Sequence, residues 1–333
     1  MIGSYELDRV HEADCLKALR RLPDDSVDCC VTSPPYWGLR SYGGPSTTWG
    51  LGHEVCEHRW VSGGLRGGSA QRQGASGQLA DRAAATDRRR ERHEDDLGRS
   101  CALCGAWEGL LGQEPTPDLY VRHLVEVFEE VRRVLVPTGT LWLSLGASFA
   151  SGGTAFRDTG FKPKDLVPIP WMVAMALRTA GWYLRADIIW HKPNGMPTSV
   201  TDRPTCVHEY LFLLARSARY FYDAAAIREP TVGSRRGLDG GTRNRRSVWS
   251  VSTGGGGGRH IAIMPEKLVE PCILAGCPEG GVVLDPFAGS GTVGAVAQRL
   301  GRRSIGFEIV GRNADDANRR IGRKKDDDDP RTG

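Results

Sequence analysis

Val282-Val283-Leu284-Asp285-Pro286-Phe287-Ala288-Gly289-Ser290-Gly291-Thr292 is the stretch that decides the fold. Val282 to Leu284 is a short apolar run and reads as a buried strand. Gly289 and Gly291 tolerate positive φ and let a ligand lie against the backbone. Thr292 to Leu300 reads as a helix, whose N-terminus would face whatever rests on the turn. No lysine follows the glycines, as a nucleoside-triphosphate loop requires. A second apolar strand, Ser304 to Phe307, leads to Glu308. That acid stands about twenty residues after the glycines, where a carboxylate can accept both hydroxyls of a ribose. Strand, glycine turn, helix and acid together read as the seat of a nucleoside cofactor in an α/β domain.

Ser33-Pro34-Pro35-Tyr36 follows another apolar run, Val27 to Thr32. Two prolines fix φ twice and remove two N–H donors, so the carbonyls around them are held in one orientation. Such carbonyls, with the Ser33 hydroxyl, can accept hydrogen bonds from an exocyclic amine. Tyr36 offers a flat face to a base taken out of its helix. An exocyclic amine is a poor nucleophile because its lone pair is delocalised. Acceptors that draw its protons favour a pyramidal nitrogen able to attack an electrophilic methyl group. The same four residues also suit a plain Pro-Pro turn closing a strand.

The combination resembles the S-adenosylmethionine-dependent amino-methyltransferases of DNA, which act on cytosine N4 or adenine N6. The tetrapeptide precedes the glycine turn, as in the permuted group called β. The resemblance covers most of the chain. Asp14-Cys15-Leu16, followed by Leu22 to Asp28, is similar to the family's opening segment, whose aspartate reaches the cofactor adenine. His260 to Leu268 is similar to the helix that leads into the glycine turn. The resemblance implies a Rossmann-like α/β domain with a seven-stranded sheet, one strand antiparallel near an edge, and helices on both faces. It implies S-adenosylmethionine held by Asp14, Cys15, Asp285, Pro286, Phe287, Gly289, Ser290, Gly291, Thr292 and Glu308. Ser33, Pro34, Pro35 and Tyr36 would be catalytic. Ser33 stands where most adenine-modifying members have aspartate, which favours cytosine N4. The implied partner is double-stranded DNA. A homodimer and a cognate restriction nuclease stay open.

Two stretches interrupt the α/β pattern. The first, residues 41–112, has no apolar periodicity in its middle. From Arg59 to Arg99 it holds nine arginines and six acids, with Arg88-Arg89-Arg90 as a compact cluster. It reads as a solvated loop able to contact phosphates. Its ends are more specific. Cys56-Glu57-His58 stands at one end and Cys101-Ala102-Leu103-Cys104-Gly105 at the other. Cys-x-x-Cys before glycine is a zinc-knuckle spacing, and Cys56 with His58 completes a closed Cys3His set for structural zinc. His53 competes with His58 as the fourth ligand.

The second stretch, residues 228–259, holds seven arginines and two acids. Arg243, Asn244, Arg245, Arg246 and Trp249 lie close together, and Gly254 to Gly258 reads as a hinge. In the permuted order, target recognition falls here. Arginine can pair with guanine O6 and N7 or simply hold phosphate. The expected layout is a catalytic half at 1–40 and 113–227, the zinc-stapled insertion at 41–112, recognition at 228–259, a cofactor half at 260–323 and a charged tail at 324–333.

The remaining scaffold reads as helices at 119–135 and 166–180 and strands at 140–145, 182–190 and 209–214. His191-Lys192-Pro193-Asn194 follows a strand and is a candidate lining for the base pocket. The 333 residues hold nine scattered cysteines and a formal net charge of +4. No basic-then-apolar leader opens the chain, and no apolar run is long enough to span a bilayer. These features fit a reducing, cytoplasmic setting without a membrane.

Overall fold

A computed structural model describes residues 1–38, 43–50, 55–61, 98–150, 159–231, 241–253 and 263–322. Its elements, in chain order, begin with β1 (Arg9–Glu12), α1 (Cys15–Leu19) and β2 (Val27–Thr32). A run of small strands follows: β3 (Thr47–Trp49), β4 (Trp60–Val61), β5 (Arg99–Cys101) and β6 (Trp107–Gly109). Next come α2 (Pro117–Val134), β7 (Leu135–Leu145), β8 (Ser148–Phe149), β9 (Leu166–Val167), α3 (Ile169–Thr179), β10 (Tyr183–His191) and β11 (His208–Ala215). The chain continues through β12 (Glu229–Pro230), β13 (Thr242–Arg243), β14 (Val248–Ser250), α4 (Glu266–Gly276), β15 (Val282–Asp285), α5 (Thr292–Arg299), β16 (Arg303–Glu308) and α6 (Gly311–Ile321).

Among the described residues the main sheet runs β1-β16-β15-β2-β7-β11-β10-β14, with β11 alone running against the rest. Strands buried on both faces are expected to be largely apolar, and β2 and the second half of β7 are so apart from Asp28, Thr32, Thr140 and Ser144. Their residues alternate between two cores. Cys30, Leu141, Leu143 and Leu284 pack with Leu19, Leu124, Phe128 and Leu177 from α1, α2 and α3. Cys29, Val31, Trp142 and Val283 pack with Leu268, Ile273, Val293 and Val296 from α4 and α5. A small third cluster joins α6 to β1 through Val10, Ala314, Ala317 and Ile321.

Three expectations are corrected. The sheet has eight strands rather than seven, because β14 adds to β10 in parallel register, Trp190 opposite Trp249. Its one antiparallel strand does lie near an edge, as expected, two places in from β14. β7 begins at Leu135, with no loop between helix and strand, and a register shift against β2 absorbs residues 136–139. Leu166–Val167 is strand, not helix. Val167 precedes Pro168, which disfavours the helical region for it, so α3 starts at Ile169. The helix before the glycine turn starts at Glu266, and the expected start at His260 lies outside the described residues, as do His53, the Arg88 cluster, Gly254 to Gly258 and the tail. Among the described residues no helix is long and apolar enough to cross a membrane.

The ends of the insertion form their own antiparallel sheet, β3-β6-β5-β4. It lies against α2, where the ring of His123 stacks between Trp49 (centroids 5.2 Å apart) and Trp107 (5.5 Å).

Candidate active site

The two sequence motifs meet at the C-terminal edge of neighbouring parallel strands. β2 delivers Thr32 and then Ser33, and β15 delivers Asp285 and then the glycine turn. The Thr32 hydroxyl donates to Asp285 Oδ1 at 2.6 Å, both side chains being buried. Asp285 Oδ1 also accepts from the Phe287 amide at 3.1 Å. Burial pushes the Asp285 carboxyl up to about 7, against the pull of these two hydrogen bonds.

The turn adopts the backbone that its glycines were expected to supply. Gly289 has φ +50° and Gly291 φ +72°. A Cβ on Gly291 would stand 2.8 Å from Ala317 Cβ, so this glycine also lets α6 pack close. A Cβ on Gly289 would meet nothing nearer than 3.9 Å, which leaves that side of the turn open. Glu308 is half-buried and accepts from the amides of Gly289 (3.0 Å) and Val310 (3.0 Å). Ser290 and Thr292 face inward to Arg320, whose Nη1 donates to Thr292 Oγ1 at 2.8 Å. Arg320 in turn pairs with Glu266 at 2.6 Å. Asp14 caps α1 by accepting from the Lys17 amide at 2.9 Å, and its other oxygen accepts from the Thr47 hydroxyl at 2.6 Å. Cys15 is buried beside it, and burial raises its thiol well above the ordinary range.

Tyr36 is the centre of a polar cluster that the sequence did not disclose. Its hydroxyl donates to Glu209 Oε2 at 2.8 Å and lies 3.4 Å from Ser33 Oγ and 3.5 Å from Ser144 Oγ. Lys192 pairs with the other oxygen of Glu209 and sits 4.3 Å over the Trp190 ring. Burial, with Glu209 beside it, raises the Tyr36 hydroxyl well above its usual range, so it is a neutral donor. Gly146 makes room for the ring: a Cβ there would be 2.7 Å from Tyr36 Cε2. The Pro35 carbonyl accepts from Tyr120 OH at 2.7 Å, which fixes the far end of the tetrapeptide. Of the expected pocket segment, Lys192 reaches this cluster. His191 and Asn194 instead tie to Ser250 and Thr253 at and just beyond β14.

The Cys3His set assembles as its spacing implied. The ligand atoms of Cys56, His58, Cys101 and Cys104 all lie within 4.8 Å of one another. Burial opposes ionisation of Cys101, but hydrogen bonds from the Cys104 backbone, His58 and the Leu103 amide outweigh it and bring the thiol down to about 5.

The later arginine stretch is more engaged than its composition suggested. Glu229 Oε1 accepts from Arg243 (2.8 Å) and Arg246 (2.5 Å). Asn244 accepts from Arg228 at 3.4 Å. Trp249 is buried, and its indole N–H donates to the Arg246 carbonyl, so the ring is sheet edge rather than a face offered to a base. Arg245 stacks 4.5 Å over it.

Comparison with known proteins shows the family. A DNA methylase family model covering N6 and N4 amino-methyltransferases matches residues 27–319. The chain belongs to the N6/N4 DNA methylase family. It is similar to the type II methyltransferases M.XycI of Xanthomonas campestris pv. cyanopsidis, at 40% identity over 90% of this chain and 82% of that one, and M.SmaI of Serratia marcescens, at 36% over 94% and 90%. In fold it is similar to the cytosine-N4-specific PvuII DNA methyltransferase, with a TM-score of 0.58, 16% identity, and coverage of 97% of this chain and 91% of that one. A DNA modification methylase of Thermus thermophilus, solved with S-adenosyl-L-methionine, gives 0.52, 23% identity and coverage of 94% and 92%. The chain is thus a DNA methyltransferase of this family. Glu209 and Arg320, which the fold brings beside the motif residues, carry no mark in the sequence, whereas Lys192 lay in the expected pocket segment.

Proposed function

We propose that this methyltransferase transfers the methyl group of S-adenosylmethionine to the exocyclic N4 of a cytosine turned out of double-stranded DNA, in one sequence context. We read it as the modification partner of a restriction nuclease. The observation that carries the reading is the bond between Thr32 and Asp285, because it puts Ser33 and the glycine turn side by side. Serine at the head of the tetrapeptide favours cytosine over adenine.

The residues present fit the cofactor: an open turn at Gly289, the half-buried apolar face of Phe287, and a carboxylate, Glu308, within reach. Asp14 and Cys15 would border its adenine. Bound S-adenosylmethionine supplies an electrophilic methyl on a sulfonium. Ser33 Oγ and the Pro34 carbonyl accept hydrogens of the target amine and so free the nitrogen lone pair. Tyr36 stacks on the base, with its hydroxyl anchored by Glu209. The gain comes from positioning and fixed dipoles, not from a covalent enzyme intermediate.

We further read Cys56, His58, Cys101 and Cys104 as ligands of one structural zinc. Four protein ligands leave no open position, so the metal holds the insertion and does no chemistry. Residues 228–259, with Arg243, Asn244, Arg245 and Arg246, serve recognition, and Arg88 to Arg90 hold phosphate.

The test is to methylate unmodified genomic DNA with the purified enzyme, digest it to nucleosides and separate them by mass spectrometry. N4-methyldeoxycytidine is the expected product. N6-methyldeoxyadenosine alone would overturn the base assignment and leave the family intact.

A further inference from the structure

We infer that Glu114 and His123 are positioning residues for the catalytic loop, coupling the small insertion sheet to the geometry of the base pocket. The inference rests on the proposed function only in placing Ser33 to Tyr36 at the target base.

Glu114 and His123 belong to neither sequence motif, yet both are buried, with side-chain exposures of 0% and 4%. A buried carboxylate is costly unless it is paired and hydrogen-bonded. Here every contact of Glu114 points to one of two places. On one side, Oε1 accepts from His123 Nδ1 at 2.9 Å. The His123 ring is clamped between Trp49 of β3 and Trp107 of β6, at interplanar angles of 22° and 21°. That side belongs to the insertion. On the other side, Oε2 accepts from the Gly112 amide at 2.8 Å, and the Glu114 carbonyl accepts from Trp37 Nε1 at 2.9 Å. The Gly112 carbonyl accepts from the Gly38 amide at 2.9 Å. That side belongs to the segment directly after Tyr36.

Gly112 shows how tight the seat is. It has φ +90°, and a Cβ there would stand 3.2 Å from the Pro35 carbonyl, from Pro35 Cβ and from the Tyr36 carbonyl. The backbone at Gly112 is thus pressed against the two residues that end the tetrapeptide. Glu114 fixes where Gly112 lies, and the tryptophan clamp on His123 fixes where Glu114 points. A shift of the insertion sheet would therefore reach Pro35 and Tyr36 through two buried side chains. Misplacing reacting groups by about 1 Å can cost about 100-fold in rate. The same clamp explains why a four-stranded sheet with so small a core of its own is kept against α2.

The experiment measures single-turnover transfer of labelled methyl to DNA, counting methyl groups regardless of the base that receives them. Cofactor affinity by calorimetry and hydrogen exchange by mass spectrometry accompany it. Glu114→Ala should slow transfer about 100-fold, speed exchange in the peptide spanning residues 33–38, and leave cofactor affinity within about twofold and exchange in β16 unchanged. His123→Gln keeps a donor for Glu114 but gives the tryptophans no ring, and should show the same pattern more weakly. Glu114→Gln keeps an acceptor for the Gly112 amide and should recover most of the rate. Wild-type rate and exchange in both Glu114→Ala and His123→Gln would overturn the inference. So would loss of cofactor binding and of β16 protection in parallel with rate, because that pattern is general unfolding.

Discussion

Thr32 donates its hydroxyl hydrogen to Asp285 at 2.6 Å, although the two stand 253 positions apart in the chain. The bond explains how motifs in permuted order build one site. Only adjacency of β2 and β15 in the sheet is needed, and the direction of the chain between them is free.

Asp285 gives the first prediction. Its carboxyl is raised in the folded chain to about 7 by burial, so the fold holds this proton more tightly than the unfolded chain does. The group's contribution to stability is greatest at acid pH. It declines as pH rises from the ordinary carboxylate range through 7. Asp285→Asn retains an oxygen for Thr32 and the Phe287 amide but never ionises. The variant's advantage in unfolding free energy should widen between pH 5 and pH 8 by an amount on the order of a few kcal/mol, read as a growing difference in melting temperature. Parallel melting curves across that range would refute the assignment.

Tyr36→Ala removes the stacking face and the hydrogen bond to Glu209. DNA methylation should fall by an amount equivalent to about 1–3 kcal/mol of lost base stacking, while cofactor affinity changes little. Methyl transfer at the wild-type rate would remove Tyr36 from the base pocket.

Glu308→Ala deletes a carboxylate that holds the Gly289 and Val310 amides and lies where the ribose is expected. Charge-assisted hydrogen bonds are worth about 1.5–3 kcal/mol each, so cofactor affinity should drop at least about tenfold. Calorimetric titration reads this directly, and an unchanged Kd would assign the ribose to another acid.

Elemental analysis of protein purified without chelator should return about one zinc per chain, and Cys104→Ala should lose it. A metal-free preparation with normal activity would leave the four side chains as an unmetallated cluster.

The arginines separate by role. Ala at Arg243, Arg245 and Arg246 should relax the methylated motif, at roughly 1–3 kcal/mol of discrimination for each base-reading pair lost. Ala at Arg88, Arg89 and Arg90 should weaken binding to all sequences and flatten its salt dependence. Sequencing the methylated DNA checks both, and the reverse outcome would make the insertion the reader.

Much of the scaffold was legible because its signals are local. The apolar runs at 27–32 and 282–284 are strands buried on both faces, and α2 carries an amphipathic period that survives any context. β14 was hidden because three residues in an arginine-rich segment give no pattern. It exists only where Trp249 can lie opposite Trp190. The division of roles at the site was legible for the motifs and silent for their partners. Nothing near Glu209 or Glu114 in sequence marks them, since each is chosen by strand register and by a helix crossing that bring a distant tyrosine or glycine within reach. Trp249 misleads for the opposite reason: an aromatic among arginines resembles a nucleic-acid contact until its burial is seen.

Glu229 has a consequence for how the molecule would meet a polyanion. It already pairs with both Arg243 and Arg246 and offsets half of their combined charge, so neither guanidinium is waiting bare for a phosphate. Engagement would be an exchange of counter-charges within the protein, carboxylate for phosphate, rather than a simple release of salt ions. The ionic-strength slope of binding would then be shallower than the number of arginines implies. Random DNA, with nothing but phosphate to offer, would gain little from breaking those pairs. A matching site, which adds base contacts, would gain enough, and the acid would act as a filter against lingering on the wrong sequence.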